Sequence, residues 1–247
     1  MEADIKIMDV VDSTNITLSQ MADAGAKEGT CVVSFCQRHG QGRSGRTFFS
    51  PEGGNLYMSL LLRPGNVHDA GMITVYAAVA ACEAVNKLFR INAGIKWVND
   101  LMYEGKKIGG IVAQAHNFGT DDMYVILGIG INIYRSREVP ADIMGRYGSI
   151  ISEEPDISKE EQHTRALELA KTIIEIFAKA YEKDTNEDVI NRYRKLCTVI
   201  GRTVEYVSGE CKVFAEVIGI DDDGGIILKT DGEVRSFRDG EIRINLA

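Results

Sequence analysis

The sequence predicts an α+β protein with a mixed or antiparallel sheet, flanking helices and a small C-terminal β-rich unit. Apolar strand patterns recur between residues 5 and 133, and Ala-rich or amphipathic helical patterns lie between and after them. After "CTVIG" the sequence pattern changes to short strands separated by the turn sequences "SGE", "DDDGG" and "TDGE". We therefore expect a domain boundary near residue 199, with one unit over 1–199 and a second over 200–247.

The N-terminal elements are predicted from local signals. A short apolar strand at 5–11 ends at "DSTN", whose four residues are all helix N-cap types. A helix follows to about Ala24, and Gly25 stops it. Strands at 30–37 and 55–63 are joined by a glycine-rich loop over 38–54, which is long enough to be a lid or a binding loop.

The remaining elements follow in order. Residues 69–89 are Ala-rich, apolar nearly all round and begin with the N-cap candidate Asp69, which predicts a buried helix. Strands are predicted at 95–98, 107–115 and 123–133, and helices at 160–183 and 187–197. Strands at 203–207, 212–220, 225–229 and 233–237 with tight Gly/Asp turns predict a small β-barrel.

Composition and charge exclude several classes of protein. The 247 residues carry a formal net charge of −8, which opposes broad binding to nucleic acid or to anionic membranes. The first residues are acidic, and no apolar run approaches the ~18 residues of a membrane span, so neither secretion nor membrane insertion is expected. Five cysteines without a C-x-x-C pair predict reduced thiols and a cytoplasmic location.

The first candidate site is "GQGRSGR" at 40–46. Its glycines free backbone N–H groups to approach an anion, and Arg43 and Arg46 add forked donors that match carboxylate or phosphate oxygens. It is not a Walker A loop, because no G-K-[ST] follows, and it matches a Rossmann fingerprint by spacing only. A solvated surface loop is the alternative interpretation.

The second candidate is "IKWVNDLMYEGKKIGGIVAQ" at 95–114. A strand with Lys96, Trp97, Asn99 and Asp100 turns through "EGK" into a strand that begins with Lys107, so that polar side chains could face one cleft. Asp100 could orient an amine or a metal ion, and Lys107 could neutralise an anion. A hairpin with exposed charges and a core tryptophan is the alternative.

The third candidate is "VILGIGINI" at 125–133, an apolar strand interrupted by Gly128 and Gly130. Glycine weakens a strand, so that two of them suggest close approach of a ligand or of another backbone. A bulge in a buried strand explains the same pattern.

The chain resembles the biotin protein ligases, which attach biotin to a lysine of biotin-dependent carboxylases. The stretches that carry the resemblance follow in the family's order: "DSTN", "GQGRSGR" with "FSPEGGNLYMS", "IKWVNDLMYEGKKIGGIVAQ" and "GIGINI". The resemblance implies a class II synthetase-like biotin- and ATP-binding catalytic domain over 1–199 and an SH3-like domain over 200–247. Because the chain starts at the catalytic domain, it resembles the short ligases without an N-terminal DNA-binding domain.

The resemblance also assigns roles to residues. The catalytic residues it implies are Arg43, Lys107 and Asp100. Those implied to bind biotin are Ser13, Thr14, Asn15, Gln37, Gly40, Gln41, Arg43, Lys107, Gly110 and Gly128. Those implied to bind ATP are Arg43, Arg46, Phe48, Asn55, Asn99, Lys107 and Asn132, with Asn132 near the phosphates. Mg²⁺ is expected with ATP, and no protein ligand for it is identified.

The implied chemistry has two steps. The biotin carboxylate attacks the α-phosphorus of ATP, which gives biotinyl-5'-AMP and pyrophosphate, and a carrier-protein lysine then displaces AMP. Asp100 is expected to orient or deprotonate that lysine. The implied partners are the biotin carboxyl carrier protein domain of a carboxylase and a second copy of the chain as a homodimer, without nucleic acid or membrane.

Three positions depart from the family pattern. Val98 replaces a proline, Gln41 replaces an arginine, and Phe48 replaces a tryptophan that shelters adenine, for which we expect weaker stacking. The histidines, which are His39, His68, His116 and His163, have no metal-ligand spacing, and we expect surface or loop positions and no zinc.

Two other functions remain open from the sequence. A lipoate protein ligase has a similar fold and the same adenylate strategy, although "GQGRSGR" and "KKIGGI" favour biotin. A non-catalytic module would sense biotin with its large domain and bind a macromolecule with its barrel. Arg43, Lys107 and Asp100 argue against that module.

Overall fold

The structure is a computed structural model that describes residues 1–64, 70–117, 119–120, 122–153, 156–208 and 211–243. The predicted N-cap Asp69 and His68 lie outside these residues. The described chain forms two sheets, with helices packed mainly against the first.

The larger sheet has seven strands in the order β1-β2-β3-β7-β6-β5-β4. The strands are β1 Asp4–Met8, β2 Thr30–Ser34, β3 Leu56–Leu62, β4 Gly94–Lys96, β5 Asp100–Tyr103, β6 Lys106–His116 and β7 Tyr124–Ile131. β1 is parallel to β2, and every other pair is antiparallel, so the predicted mixed sheet is confirmed. β3 and β7 lie at the centre, where almost every side chain is buried.

Five helices accompany this sheet, namely α1 Thr14–Asp23, α2 Ala70–Phe89, α3 Ala141–Met144, α4 Lys159–Lys183 and α5 Asn186–Leu196. Ser158 and Thr185 begin α4 and α5 with capping boxes. α2 packs between the sheet and the helices α4 and α5. Among the described residues, only Met72–Phe89 of α2 is apolar and long enough to cross a membrane, and 67% of it is buried inside the protein. It is therefore the central core helix that its sequence predicts.

The smaller sheet has five antiparallel strands in the order β11-β10-β9-β8-β12. Its strands are β8 Thr203–Ser208, β9 Cys211–Ile220, β10 Ile226–Thr230, β11 Glu233–Phe237 and β12 Glu241–Arg243. Buried residues of both sheets belong to one hydrophobic cluster. The Trp97 indole donates to the Gly224 carbonyl at 2.9 Å, and Arg194 Nε donates to the Ile220 carbonyl at 2.9 Å. The two sheets are thus joined by apolar and polar contacts.

The sequence prediction misses three elements. The first missed element is β5. The predicted strand at 95–98 corresponds to the short β4, and a turn with a cis Trp97–Val98 peptide bond joins β4 to β5. α3 is one turn long and carries no periodic pattern. β12 has three residues and forms only because β8 pairs with it. Segments this short are fixed by tertiary contacts rather than by periodicity.

The prediction of surface or loop positions is wrong for His163. This residue lies on α4, where its ring stacks on Phe35 with centroids 3.7 Å apart, and its Nε2 is buried without a hydrogen bond. His39 is exposed in a loop, as expected. His116 ends β6 and stacks on Tyr124 at 4.8 Å. No group of three metal-ligating side chains occurs among the described residues.

Candidate functional site

The glycine-rich loop is an ordered hairpin rather than a flexible segment. The Gly42 N–H donates to the Arg46 carbonyl at 2.7 Å, and the Phe48 N–H donates to the Gly40 carbonyl at 2.8 Å. A 3₁₀ turn at Arg43–Gly45 forms the tip. Gly45 has a φ of +72°, a conformation that glycine adopts without steric cost. The hairpin backbone therefore fixes the positions from which the Arg43 and Arg46 side chains extend.

This hairpin covers a cavity of about 610 Å³ over β3, β6 and β7. The predicted site residues that line the cavity are Ser13, Thr14, Asn15, Gln37, Gln41, Arg43, Arg46, Phe48, Asn99, Asp100, Lys107, Gly110, Gly128 and Asn132. Gly40 lines an adjoining cavity of about 450 Å³ behind the loop. The structure does not bring Asn55 to either cavity, because this buried side chain accepts a hydrogen bond from the Tyr134 N–H at 3.0 Å.

One end of the cavity is a neutral polar pocket. The Gln37 carbonyl oxygen accepts from the Thr14 N–H at 2.8 Å and from the Thr14 hydroxyl at 3.1 Å. Ser59 Oγ lies 2.8 Å from Thr14 Oγ1 and donates to Asn15 Oδ1 at 2.6 Å, and Asn15 Nδ2 donates to Gln114 Oε1 at 2.8 Å. The network holds several buried amides and hydroxyls in fixed orientations without a net charge.

Gly128 makes this pocket possible. A Cβ at Gly128 would lie 2.9 Å from Asn15 Nδ2 and even closer to Asn15 Oδ1, so that any side chain would displace the asparagine. The close approach that the two strand glycines predict is therefore real, and at Gly128 the neighbour is the α1 side chain rather than a backbone.

Positively charged side chains occupy the middle of the cavity. Arg43 Nη1 donates to Asn99 Oδ1 at 3.1 Å, and Asn99 Nδ2 donates to the Ile111 carbonyl at 2.7 Å. Lys107 Nζ lies 2.6 Å from Asp100 Oδ1. The amide and the carboxylate thus hold the two cations against the sheet, where their charges point at the same space.

Phe48 lies on a bare patch of the sheet formed by Gly110 and Gly130, which are directly paired between β6 and β7. A Cβ at Gly130 would lie 2.5 Å from Phe48 Cε1, whereas one at Gly110 would lie 3.4 Å from Cε2. Lys107 Nζ stands 5.9 Å from the Phe48 ring centroid, within cation–π range. The ring therefore forms a wall between the cation cluster and the far end of the cavity.

Asn132 at the far end has an acceptor without a partner. Its Nδ2 donates to the Gly148 carbonyl at 2.9 Å, which fixes the orientation of the amide, and its buried Oδ1 has no hydrogen-bond partner in the part of the chain that the structure describes. Leaving a buried acceptor unpaired costs about 1–3 kcal/mol, so this oxygen would be stabilised by an N–H or O–H donor, although it is enclosed in the described structure. It is not suited to a phosphate oxygen, which is itself an acceptor.

The smaller sheet also reaches the cavity. Val207, Asp239, Gly240, Glu241 and Ile242 line it. Glu241 forms a bidentate ion pair with Arg46, with nitrogen–oxygen distances of 3.1 and 2.7 Å. The hydrogen bond from Arg46 is the main reason that the pKa of Glu241 is lowered. The sheet beyond residue 199 is therefore part of the site.

Other side chains at the cavity receive no role from the sequence reasoning. Lys96, Arg146, Tyr147 and Glu241 line the cavity, and Gln114 and Ser59 orient Asn15. Lys96 stands inside "IKWVND" and could have been assigned from its place there. Glu241 and Arg146 carry no local signal, since only the folded chain brings them to the cavity.

Hydrogen bonds from α5 and from the segment after it hold the backbone on both sides of the turn that carries Asn99 and Asp100. The fully buried Tyr193 of α5 donates its hydroxyl to the Val98 carbonyl at 3.0 Å. The Thr198 N–H donates to the Ile95 carbonyl at 2.8 Å. These contacts fix the backbone on either side of the turn independently of any ligand.

Comparisons with known proteins identify a family for this chain. The family model described as "Biotin/lipoate A/B protein ligase family" matches residues 7–132. The chain is 31% identical over 247 residues to the bifunctional ligase/repressor BirA of Salmonella typhimurium, with 98% of this chain and 75% of the relative covered. It is 27% identical to a biotin–[acetyl-CoA-carboxylase] ligase of Paracoccus denitrificans, with 88% and 91% covered.

A solved structure of a biotin protein ligase from Aquifex aeolicus, in complex with biotin and ATP, is also similar. Its TM-score is 0.78 at 27% identity, with 97% of each chain covered. The similarity therefore extends over both sheets.

Proposed function

This chain belongs to the biotin/lipoate A/B protein ligase family, and from that premise we propose that it is an ATP-dependent biotin protein ligase. It converts biotin and ATP into biotinyl-5'-AMP and pyrophosphate, and then transfers biotin to a specific lysine of a biotin carboxyl carrier protein domain.

One observation carries the proposal: a single cavity joins a neutral polar pocket, a cation cluster and an aromatic wall with an unpaired amide oxygen. The polar pocket around Thr14 and Gln37 suits the ureido head of biotin, which has both N–H donors and a carbonyl acceptor. The cations Arg43 and Lys107 suit the carboxylate and the α-phosphate. Phe48 and Asn132 suit the nucleotide, and we assign Asn132 to a donor on the base or ribose rather than to the phosphates.

In the first step the chain's own residues concentrate positive charge where negative charge accumulates. A biotin carboxylate oxygen bonds to the α-phosphorus, and the bond from that phosphorus to the oxygen it shares with the β-phosphorus breaks. Arg43 and Lys107 stabilise the crowded α-phosphate oxygens electrostatically. The hairpin above them excludes water from the mixed anhydride until the acceptor arrives.

Mg²⁺ is expected to enter with ATP, where it neutralises charge on the phosphates. The described residues contain no group of three metal-ligating side chains, so the protein fits an ion held mostly by phosphates and water. Asp100, the carboxylate beside Lys107, would offer the ion an oxygen ligand.

In the second step Asp100 is proposed to receive the carrier lysine. Its carboxylate is paired with Lys107 in the described structure. Once the carboxylate and phosphate oxygens of the adenylate engage Lys107, Asp100 can accept a hydrogen bond from the incoming amine. A single-turnover assay of Asp100→Asn should show a larger fall in the transfer rate than in the rate of adenylate formation, which also depends on Asp100 through Lys107. An unchanged transfer rate would remove this role.

Lipoate is the alternative acid, and the polar pocket argues against it. Ser13, Thr14, Asn15 and Ser59 are all at most 5% exposed. An apolar dithiolane ring offers neither the N–H donors nor the carbonyl acceptor that the ureido head would present to this polar pocket, which costs affinity.

We further propose that residues 1–199 form the catalytic domain and that residues 200–247 form an SH3-like domain, on the basis of the five-stranded antiparallel sheet. The proposed setting is cytoplasmic, with a carrier domain and a second copy of the chain as partners, and without nucleic acid or membrane. Sedimentation of the protein with and without biotin and ATP tests the homodimer.

The deciding experiment is biotin-dependent exchange of labelled pyrophosphate into ATP. The wild-type protein should catalyse exchange with biotin but not with lipoate, and Arg43→Ala or Lys107→Ala should abolish it. Arg38→Ala is the matched control, because this exposed arginine does not line the cavity. A second assay follows label from biotin to a carrier domain.

The results separate the candidate functions. Exchange with lipoate instead of biotin would favour a lipoate ligase. Biotin binding without exchange would favour a module that only senses biotin. Exchange that survives both substitutions would place the chemistry elsewhere.

A further inference from the structure

The cavity carries more positive charge than the adenylate alone needs. Five cationic and three anionic side chains line it, in a chain whose formal net charge is −8. Biotinyl-5'-AMP has a single phosphate, whereas ATP brings three. The excess therefore suits a polyphosphate that is present only during the first step.

Three of these cations have no anionic partner among the described residues, and one of the three, Arg43, donates to the neutral Asn99 amide instead. Lys107 pairs with Asp100 and Arg46 pairs with Glu241. The side chains of Lys96 and Arg146, in contrast, form neither a hydrogen bond nor an ion pair with any residue in the ranges that the structure describes. An unpaired, partly desolvated cation is unfavourable by itself, so that an anionic ligand would bind here at a low desolvation cost.

Lys96 is the inner of the two. It ends β4 and lies opposite Asp100 in the register of β4 and β5. The Asp100 carboxylate, however, pairs with Lys107, with Oδ1 2.6 Å from Nζ. Burial is the main cause of the lowered pKa of Lys96, and the charges of Lys107 and Arg146 lower it further against the opposing effects of Asp100 and Glu241. The Lys96 ammonium group therefore interacts electrostatically with all four of these charged side chains but forms an ion pair with none of them.

Arg146 stands at the exposed rim and is tied to the same strand as Lys107. The Lys107 N–H donates to the Arg146 carbonyl at 2.8 Å, and the Gly148 N–H donates to the Lys107 carbonyl at 2.9 Å. The segment after α3 thus carries an arginine to the cavity beside the lysine that faces the α-phosphate. An anion between Lys96 and Arg146 would lie next to that phosphate and open to solvent.

We propose that Lys96 and Arg146 form the subsite for the β- and γ-phosphates of ATP and for the pyrophosphate that leaves. The inference rests on the proposed function. When the biotin carboxylate bonds to the α-phosphorus, the electron pair of the breaking bond stays on the bridging oxygen of pyrophosphate. Lys96 stabilises that added charge, and Arg146 at the rim guides the product out.

The test measures pyrophosphate in two ways. Isothermal titration calorimetry with sodium pyrophosphate and magnesium chloride gives binding, and biotin-dependent exchange gives the KM for pyrophosphate. Lys96→Gln and Arg146→Gln should each weaken both by roughly tenfold to a hundredfold, as expected for a lost charge-assisted hydrogen bond. Biotin affinity should stay at the wild-type value. Lys6→Gln, an exposed strand lysine paired with Asp4, is the control.

The outcomes distinguish this subsite from the ligase assignment. Wild-type exchange with an unchanged KM for pyrophosphate in both variants would overturn the subsite alone. Wild-type pyrophosphate binding without exchange would overturn the ligase assignment, and calorimetry of the variants would still decide the subsite. If Lys96→Gln unfolds, Arg146→Gln at the exposed rim decides, and wild-type binding there overturns the paired site.

Discussion

Arg46 and Glu241 form a bidentate ion pair across 195 positions of sequence, and the pair ties the glycine-rich hairpin to β12. Arg46 Nη1 and Nη2 donate to the two carboxylate oxygens of Glu241 at 3.1 and 2.7 Å. The pair is largely exposed, so it contributes little to global stability. Its effect is local, because it holds the outer side of the hairpin against the smaller sheet.

Glu241→Gln should therefore free the hairpin without unfolding the protein. We expect a loss of less than about 1 kcal/mol in the free energy of unfolding, since exposed pairs are weak. Trypsin should cut after Arg43 or Arg46 several-fold faster than in the wild type. Glu233→Gln breaks another exposed pair, with Arg235, and is the control. Equal cleavage of Glu241→Gln and wild type would show that the hairpin is ordered without this pair.

Gly130→Ala should damage nucleotide binding selectively. The added Cβ would lie 2.5 Å from the Phe48 ring, which must move away from the sheet. Overpacking of this kind costs roughly 1–3 kcal/mol, so the KM for ATP should rise about tenfold or more while the Kd for biotin changes little. Gly145→Ala is the control, because its helical backbone accepts alanine and no atom lies within 4 Å of the new Cβ. A normal KM for ATP in Gly130→Ala would argue against Phe48 as the wall of the nucleotide pocket.

Tyr193→Phe should loosen the turn that carries Asn99 and Asp100. The change removes the hydrogen bond to the Val98 carbonyl at 3.0 Å and leaves that acceptor unpaired, at a cost of about 1–3 kcal/mol. We expect a lower Tm, and a lower kcat with little change in the KM for biotin. Tyr103→Phe, which alters a partly exposed tyrosine of β5, is the control. A lower Tm with an unaltered kcat would leave Tyr193 a purely structural role.

His163 should make the stability depend on pH. Burial against Phe35 and the nearby charge of Lys159 lower the pKa of His163 below 6.5, although Asp9 and Glu52 oppose the shift. Between that lowered pKa and about 6.5 the unfolded chain binds more protons than the folded one, so stability rises with pH there. Its contribution is complete above about pH 6.5 and is lost as the pH falls.

The measurement for His163 is urea unfolding from pH 7.5 to 5.5. His163→Phe keeps a ring for Phe35 and removes the buried Nε2, so its stability should change less over this range than that of the wild type. His39→Phe, at an exposed loop position, is the control. Parallel curves for His163→Phe and the wild type would show that other groups cause the dependence.

Much of the fold follows from local sequence. Ser13, within "DSTN", is the residue that begins α1, and Gly25 follows its end with a φ of +93°. The apolar run of α2 predicts its burial, and the two strand glycines predict close neighbours. The Ser13 side chain makes no capping hydrogen bond, so the extended backbone of Ser13 marks the start of α1. The other predictions succeed because periodicity and missing side chains act within a few residues of where they are read.

Local patterns are thus enough for the α+β class, the order of most elements and the set of motifs that marks the family. Tertiary packing instead pairs Glu241 with Arg46 and Asn55 with the Tyr134 N–H. Among the described residues, it also leaves Asn132 Oδ1 and the Lys96 ammonium group without a partner. These outcomes depend on segments far apart in sequence, because a charge or an amide acquires its partner from whichever segment packs beside it. No local pattern of residues specifies that segment.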